Sequence, residues 1–502
     1  MKIRIIDTTL RDGEQTSGVA YTASEKLHIS RLLLEEVKVD CIEVASARVS
    51  AGEMEAVKRI AEWASRTGRL SQVEVLAFID GAQSLRWVRE AGAQTVNLLS
   101  KGSLKHLTKQ LRKTPQEHIT DIRQTVETLT HLGMKANLYL EDWSNGMKHS
   151  KDYVSFLLDN MKDLPLQRIM LPDTLGVLTP GDTFRYCEEV CGRYPEIHFD
   201  FHAHNDYDLA VANSLAAVKA GIRGVHATVN GLGERAGNTP LASIVAVLKD
   251  HTEAEMQVNE EKLTIVSKMV ETFSGIRIPA NKPVVGENVF TQASGIHADG
   301  DNKDRLYFND LLPERFGRVR KYALGKTSGK SNILKNLEEL GIRLDPEAMR
   351  RVTDRVIELS DRKENVTSED LPYIISDVLQ NEDSEHRIKV RNYSLNVAEG
   401  LKSSATLCLE VDGVRYEETS SGDGQYDAFM NALRKIYAPL HRPLPKLTDY
   451  VVTIPPGGRT DALVETVITW ETANRREFKT RGLDPDQTIS AIQATVKMLN
   501  II

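Results

Sequence analysis

Two clusters of residues in this chain have the types and spacing that chemistry requires. Arg11, Asp12 and Glu14 stand directly behind an apolar run in IRIIDTTLRDGEQ, and His202 and His204 stand two apart in FHAHND. On a β-strand, residues two apart project from one face, so both imidazoles can reach one ion. With Asp12 alongside they form a nitrogen and oxygen donor set without thiolate. Such a set suits zinc, manganese, iron or cobalt, and magnesium less well. A solvated turn and a hydrogen-bonded core histidine are the ordinary alternatives. Asn238, in a loop relaxed by Gly231, Gly233 and Gly237, is a candidate fourth ligand. Those glycines match neither a phosphate loop nor a dinucleotide fingerprint.

Arg11 beside a bound cation would repel it unless an anion lay between them. The pair therefore reads as a clamp for a substrate carrying a carboxylate and a carbonyl. Glu141 follows Tyr139 at a two-residue spacing, which brings a carboxylate into the same cavity as a candidate general base. A structural carboxylate paired with a neighbouring arginine is the alternative.

These residues need a scaffold that gathers strand ends. Up to about residue 250, β-rich runs alternate with amphipathic helical stretches such as ASEKLHISRLLLEEV and DLAVANSLAAVKAG. Eight runs can be counted: IRIID, CIEVAS, VEVLAFI, TVNLLS, ANLYLE, RIMLPDT, HFDFHAHN and GVHATVNG. Eight such units predict a (β/α)8 TIM barrel, an α/β fold whose reactive groups collect where strands end. A doubly wound sheet is the rival, weakened because no glycine-rich dinucleotide turn follows the first run.

Beyond the barrel, a Gly- and charge-rich arm leads into helical patterns, SNILKNLEELG and AMRRVTDRVIELSDR. The last segment carries a weak repeat in which strand, turn and strand lead through a Gly- and Asp-containing turn into a helix. The expected division is a catalytic barrel over 1–265, linker and helical subdomains over 266–384, and an α+β domain with internal pseudo-symmetry over 385–502. With 502 residues, several cores can be buried. A net charge of −7 without a long single-sign block gives no footprint for nucleic acid or an anionic membrane. No run of 18 apolar residues occurs and the first residues do not read as a signal peptide, which predicts a cytoplasmic protein. Cys41, Cys187, Cys191 and Cys408 read as reduced thiols, because CEEVC lacks the further ligands of a zinc site.

The stretches DTTLRDGEQTSGVAYTASEKL, FHAHNDYDLAVANSLAAVKAG and HATVNGLGERAGNTPL resemble the signatures of the 2-isopropylmalate, homocitrate and citramalate synthases. Those enzymes condense acetyl-CoA with a 2-oxo acid. YLEDWSNGM, LPDTLGVLTP, GIHADGDNKDRLY, LPERFGR and SGDGQYDAFMNAL are similar to the citramalate-synthase branch. The resemblance implies a divalent ion on Asp12, His202 and His204 with Asn238 nearby, and a 2-oxo acid held by Arg11 and Thr174. It implies Glu141 in the region of the base, assisted by His297 and Tyr307 in trans across a homodimer, with Asp299 orienting His297. Leu76, Leu99 and Tyr139 would narrow the pocket around a methyl group, which predicts pyruvate as the partner of acetyl-CoA. The terminal domain resembles a feedback module for isoleucine, or secondarily leucine. Its matching positions are Tyr426, Asp427, Leu447, Tyr450, Ile454, Thr460, Val464, Pro485 and Gln487. A 2-isopropylmalate synthase using 2-oxoisovalerate, an aldol-type lyase, and an amino-acid sensor with a silent barrel are the competing readings.

Overall fold

The computed structural model describes residues 1–361, 388–440, 442–453, 464–473 and 477–501, with single positions 366, 371, 374, 375 and 378 between them. Packing divides the chain into two compact units: Met1–Thr291 with Tyr307–Lys321, and Gln292–Leu306 with Tyr322–Ile502.

The first unit is built on a closed parallel barrel of eight strands in sequence order. They are β1 (Arg4–Asp7), β2 (Cys41–Ser46), β3 (Val73–Phe78), β4 (Thr95–Lys101), β5 (Lys135–Glu141), β6 (Leu166–Asp173), β7 (Phe199–Ala203) and β8 (Gly224–Ala227). Closure is made by β1 pairing β8 in parallel, Arg4 opposite Gly224 and Asp7 opposite Ala227. The period of two is used in full. Ile42, Val44, Val75, Leu98, Leu138, Ile169, Phe199 and Phe201 are buried in the main apolar core, while Glu43, Glu74, Asn97, Arg168, Asp200 and His226 alternate with them and are also buried. Each fully buried aliphatic or aromatic side chain contributes about 1.5–3 kcal/mol.

Local signals start the surrounding helices. Thr22 accepts from the Glu25 amide while Glu25 accepts from the Thr22 amide, a capping box opening Ala23–Arg31. Thr114, Pro115 and Glu117 open Pro115–His131 in the same way. The predicted helix ASEKLHISRLLLEEV changes character at Leu32–Val37, a wider π-type turn closed by Lys38 at φ 63°. Cys187 and Cys191 lie on the helix Pro180–Arg193, and all four cysteines are free.

In the second unit, helices Lys330–Leu340 and Pro346–Asp361 pack through Ile333, Leu337, Met349, Val352 and Val356. The terminal segment forms two three-stranded antiparallel sheets: β9 (Ile388–Asn396), β10 (Ser403–Val411) and β11 (Val414–Gly422), then β12 (Lys446–Thr453), β13 (Val464–Glu471) and β14 (Glu477–Asp484). Helices Gln425–Tyr437 and Gln487–Ile501 follow the two sheets. Each half thus has one strand more than the predicted strand, turn, strand and helix. A glycine marks the same contact in both halves: a Cβ on Gly422 would meet the Ala428 amide at 2.4 Å, and one on Gly482 the Ser490 carbonyl at 1.8 Å. No helix among the described residues is long and apolar enough to cross a membrane.

Candidate active site

The RDGEQ loop sits at the open end of β1. Lys26, fully buried on the first helix, holds it from behind: its ammonium donates to the carbonyls of Leu10 (3.0 Å) and Val44 (3.2 Å), and pairs with Glu14 (2.6 Å) and Glu53 (2.7 Å). Arg11 and Asp12 are thereby presented to the barrel interior. Asp12 Oδ2 lies 3.3 Å from His202 Nε2 and 3.8 Å from His204 Nε2, and the two Nε2 atoms are 3.4 Å apart. Ligand atoms bonded to one first-row ion at about 2.1 Å lie roughly 3.0–3.4 Å from one another; two of the three separations meet this and His204 stands slightly wide, at 3.8 Å from Asp12. His204 falls one residue beyond β7 and is held in place by a bridge to Asn238.

Three further observations favour a cation. Asp12 Oδ1 and Asn238 Oδ1 are buried without hydrogen-bond partners. Burial lowers both histidines to about 4, leaving neutral rings with lone pairs to give. Burial would raise Asp12, but Arg11 and His202 outweigh it and hold the carboxyl well below the usual range. Asn238 reaches the cluster because Gly233 carries no side chain. A Cβ there would meet Asn238 Nδ2 at 2.1 Å and Asp12 Oδ1 at 3.2 Å, at φ +152°.

Arg11 donates to Glu43 (Nε to Oε2, 2.6 Å), to Asp12 (2.9 Å) and to the Tyr139 hydroxyl (3.2 Å). Burial alone would lower its pKa, yet Glu43 and Asp12 push it up and keep the cation fixed. From there a closed polar ring runs through the barrel. Glu43 Oε1 accepts from Asn97 (2.7 Å), which also donates to Glu74 Oε2 (3.1 Å). Glu74 pairs with Arg168, whose NH1 donates to Asp200 Oδ2 (2.8 Å). His226 Nε2 lies 3.4 Å from that oxygen, and its Nδ1 is 2.9 Å from the Tyr139 hydroxyl. Two guanidiniums, Arg11 and Arg168, face four carboxylates, Asp12, Glu43, Glu74 and Asp200. A divalent cation would balance that excess.

The remaining predicted residues fall into place unevenly. Leu76, Leu99 and Tyr139 form one apolar patch inside the barrel, joined by Met170, which the sequence reading missed. Thr174 accepts from the Asp142 amide (2.9 Å), and its carbonyl accepts from Arg235 (2.7 Å), which also grips Asp206. Glu141 pairs with Lys101, so its partner is a buried lysine where an arginine was the alternative considered. Lys101 and Glu141 are directly opposed in the register of β4 and β5, which is the signal that could have found the lysine.

In the second unit, His297 and Asp299 lie on the helix Gly295–Asn302, and Asp299 pairs with Lys303 at 2.6 Å. Tyr307 is exposed in the first unit. In the terminal domain Tyr426 and Tyr450 stack obliquely at 5.6 Å, and Gln487 bonds the Tyr450 hydroxyl. The Tyr426 hydroxyl meets Thr495 at 2.7 Å. Asp427 accepts from the Asp423 amide (3.0 Å). Leu447 and Val464 lie on β12 and β13, and Pro485 and Gln487 at the turn into the last helix. Ile454 and Thr460 lie outside the described residues.

Comparison with known proteins gives this geometry a context. Residues 2–270 match the HMGL-like family model, 284–364 the homocitrate synthase post-HMGL domain-like model, and 365–502 the LeuA allosteric (dimerisation) domain. A protein of Methanopyrus kandleri named "Putative (R)-citramalate synthase CimA" is 37% identical over 86% of this chain and 84% of its own length. One of the same name from Archaeoglobus fulgidus is 30% identical over the whole of both chains. The 2-isopropylmalate synthase of Pyrococcus furiosus is 36% identical over 100% of this chain and 99% of its own. With its eight-stranded barrel, its terminal domain and these full-length relatives, the chain belongs to the HMGL-like family of 2-isopropylmalate, homocitrate and citramalate synthases, the enzymes that condense acetyl-CoA with a 2-oxo acid.

Proposed function

We propose that this chain condenses acetyl-CoA with pyruvate to give (R)-citramalate and CoA. The observation that carries the choice of pyruvate is the patch of Leu76, Leu99, Tyr139 and Met170 inside the barrel, with the Tyr139 hydroxyl 3.2 Å from Arg11. An acid whose carbonyl oxygen lies at Arg11 would bring its side chain against that patch, which suits a methyl better than a branched group.

Asp12, His202 and His204, with Asn238 beside them, would hold a divalent ion, zinc or manganese before magnesium or cobalt. When bound, such an ion supplies Lewis-acid polarisation of the ketone. Arg11 stabilises the negative charge that grows on the carbonyl oxygen, held in place by Glu43 and Tyr139. The Thr174 hydroxyl keeps its hydrogen for the substrate carboxylate, since it serves the Asp142 amide as an acceptor. The acetyl methyl loses a proton to the Glu141 carboxylate, through or beside His297. The new carbanion forms a bond to the ketone carbon as the carbonyl π bond breaks, and the alkoxide takes the proton back from the Glu141 carboxyl. Water then cleaves the thioester, releasing CoA and making the sequence irreversible. His297, oriented by Asp299, and Tyr307 act in trans across a homodimer in this reading, to which the match to a dimerisation domain lends support. The functional division is 1–265, 266–384 and 385–502. The last part binds isoleucine, or secondarily leucine, through Tyr426, Asp427, Leu447, Tyr450, Ile454, Thr460, Val464, Pro485 and Gln487.

The test is CoA release from the full chain with a panel of 2-oxo acids, with and without chelator. Pyruvate is expected to give the highest kcat/KM, and chelation to abolish turnover. A higher kcat/KM with 2-oxoisovalerate would make the chain a 2-isopropylmalate synthase.

A further inference from the structure

The polar ring inside the barrel takes one residue from each strand, with Arg11 standing for the first: Arg11, Glu43, Glu74, Asn97, Tyr139, Arg168, Asp200 and His226. Five of them serve as charges, Asn97 as an amide and Tyr139 as a hydroxyl. His226 is different, because the nitrogen that carries its hydrogen decides whether it donates to Asp200 or to the Tyr139 hydroxyl.

We infer that His226 is a positioning residue for Arg11, acting through the Tyr139 hydroxyl. The Asp200 carboxylate can only accept, and it already takes an N–H of Arg168 at 2.8 Å. His226 Nε2, 3.4 Å away, therefore carries the hydrogen, and in the neutral ring Nδ1 is left with a lone pair. Tyr139 has one hydroxyl hydrogen and two acceptors in reach, His226 Nδ1 at 2.9 Å and Glu43 Oε2 at 3.2 Å. The nearer has no other donor to satisfy it, whereas Glu43 Oε2 already accepts from Arg11 at 2.6 Å. Tyr139 thus donates to His226, and its oxygen lone pairs turn toward Arg11 NH2 at 3.2 Å.

The consequence for the site is geometric. With the hydroxyl turned this way, the guanidinium donates to three acceptors, Glu43, Asp12 and Tyr139. Were Nδ1 to carry the hydrogen instead, the Tyr139 hydroxyl would have only Glu43 Oε2 to donate to, and would compete there with Arg11 Nε for the oxygen that anchors the guanidinium. His226 itself is buried, its ring edge-on to Tyr139 at 5.6 Å and to His202 at 5.5 Å between centroids, and its hydrogen-bonded route to Arg11 runs through the Tyr139 hydroxyl. The inference rests on the reading of Arg11 as the anchor of the 2-oxo acid.

Two measurements test it. In the unaltered full chain labelled with 15N-histidine, long-range 1H–15N correlation reads the tautomer of each ring, and the signal lost in His226→Asn assigns this one. A hydrogen on Nε2 alone is expected; a hydrogen on Nδ1, alone or with Nε2, overturns the proposal. This measurement needs neither substrate nor a folded apolar variant, so its failure is separable from a failure of the functional reading. The second is a kinetic cycle, run with whichever 2-oxo acid turns over fastest. His226→Leu is expected to lower kcat/KM for the 2-oxo acid about tenfold while KM for acetyl-CoA stays within about twofold. His226→Asn, which keeps an acceptor toward Tyr139, should restore most of the loss. In a Tyr139→Phe background His226→Leu should add less than about twofold, because the link is already cut. An undiminished loss in that background, or KM values for both substrates rising together, overturns the proposal.

Discussion

At the scale of single residues, burial without a charged partner leaves Asp7 in an unusual state. Desolvation raises its pKa to about 7 against the opposing bond from the Thr9 amide, and one of its oxygens has no partner. The native state therefore holds a proton that the unfolded chain releases near pH 4, so stability falls as pH rises from about 4 to about 7 and stays reduced above that. Asp7→Asn removes the titration and keeps the acceptor for Thr9. It should match the parent at pH 4 and exceed it at pH 8 by roughly 2–4 kcal/mol, read from urea unfolding at the two pH values. An equal difference at both would refute this. Leu99 offers a second test: Leu99→Ala should shift kcat/KM toward 2-oxoisovalerate by about 10-fold, and unchanged selectivity would remove the patch as the determinant. Legibility differed among residues for a physical reason. Asp12, His202 and His204 stand at strand ends with a spacing that declares a shared face. His226 and Lys101 gain their meaning only from side chains on other strands, so nothing local distinguishes them from ordinary buried polar groups.

At the scale of elements, the barrel's interior depends on positions where a side chain is missing. Gly224 opens β8, and a Cβ there would fall 1.9 Å from Asp200 Oδ1. Gly224→Ala should destabilise the protein by at least about 3 kcal/mol or prevent folding. Gly181, on the helix Pro180–Arg193 with no neighbour closer than 4.0 Å, is the control; Gly181→Ala should be neutral or stabilising by up to about 1 kcal/mol. Thermal melts of the two variants decide the matter, and equal effects would contradict the packing argument. The strands themselves were readable, because each outward face is apolar and each run ends at turn residues. Less readable was the leading strand of each terminal half: β9 and β12 are polar and half exposed, so their pairing to β10 and β13 leaves little trace in hydrophobic alternation.

At the scale of the whole molecule, regulation is expected to reside in the terminal domain. Removing residues 385–502 should abolish inhibition by isoleucine in the CoA-release assay, while inhibition that survives would separate the effector from that domain. Repetition made this domain visible in the sequence, since its two halves share a strand, turn and helix rhythm. The partnership of Gly422 and Gly482, one per half, depends on how closely each helix approaches its sheet and could not be read beforehand. The ring in the barrel carries a different lesson about assembly. Because strands two to eight and the loop after the first each supply one link, cutting the barrel after β4 would break the links from Tyr139 to Arg11 and from Glu74 to Arg168 and expose their partners toward an open trough. Closing the cylinder through β1 and β8 therefore also completes the hydrogen-bonded circuit that fixes Arg11.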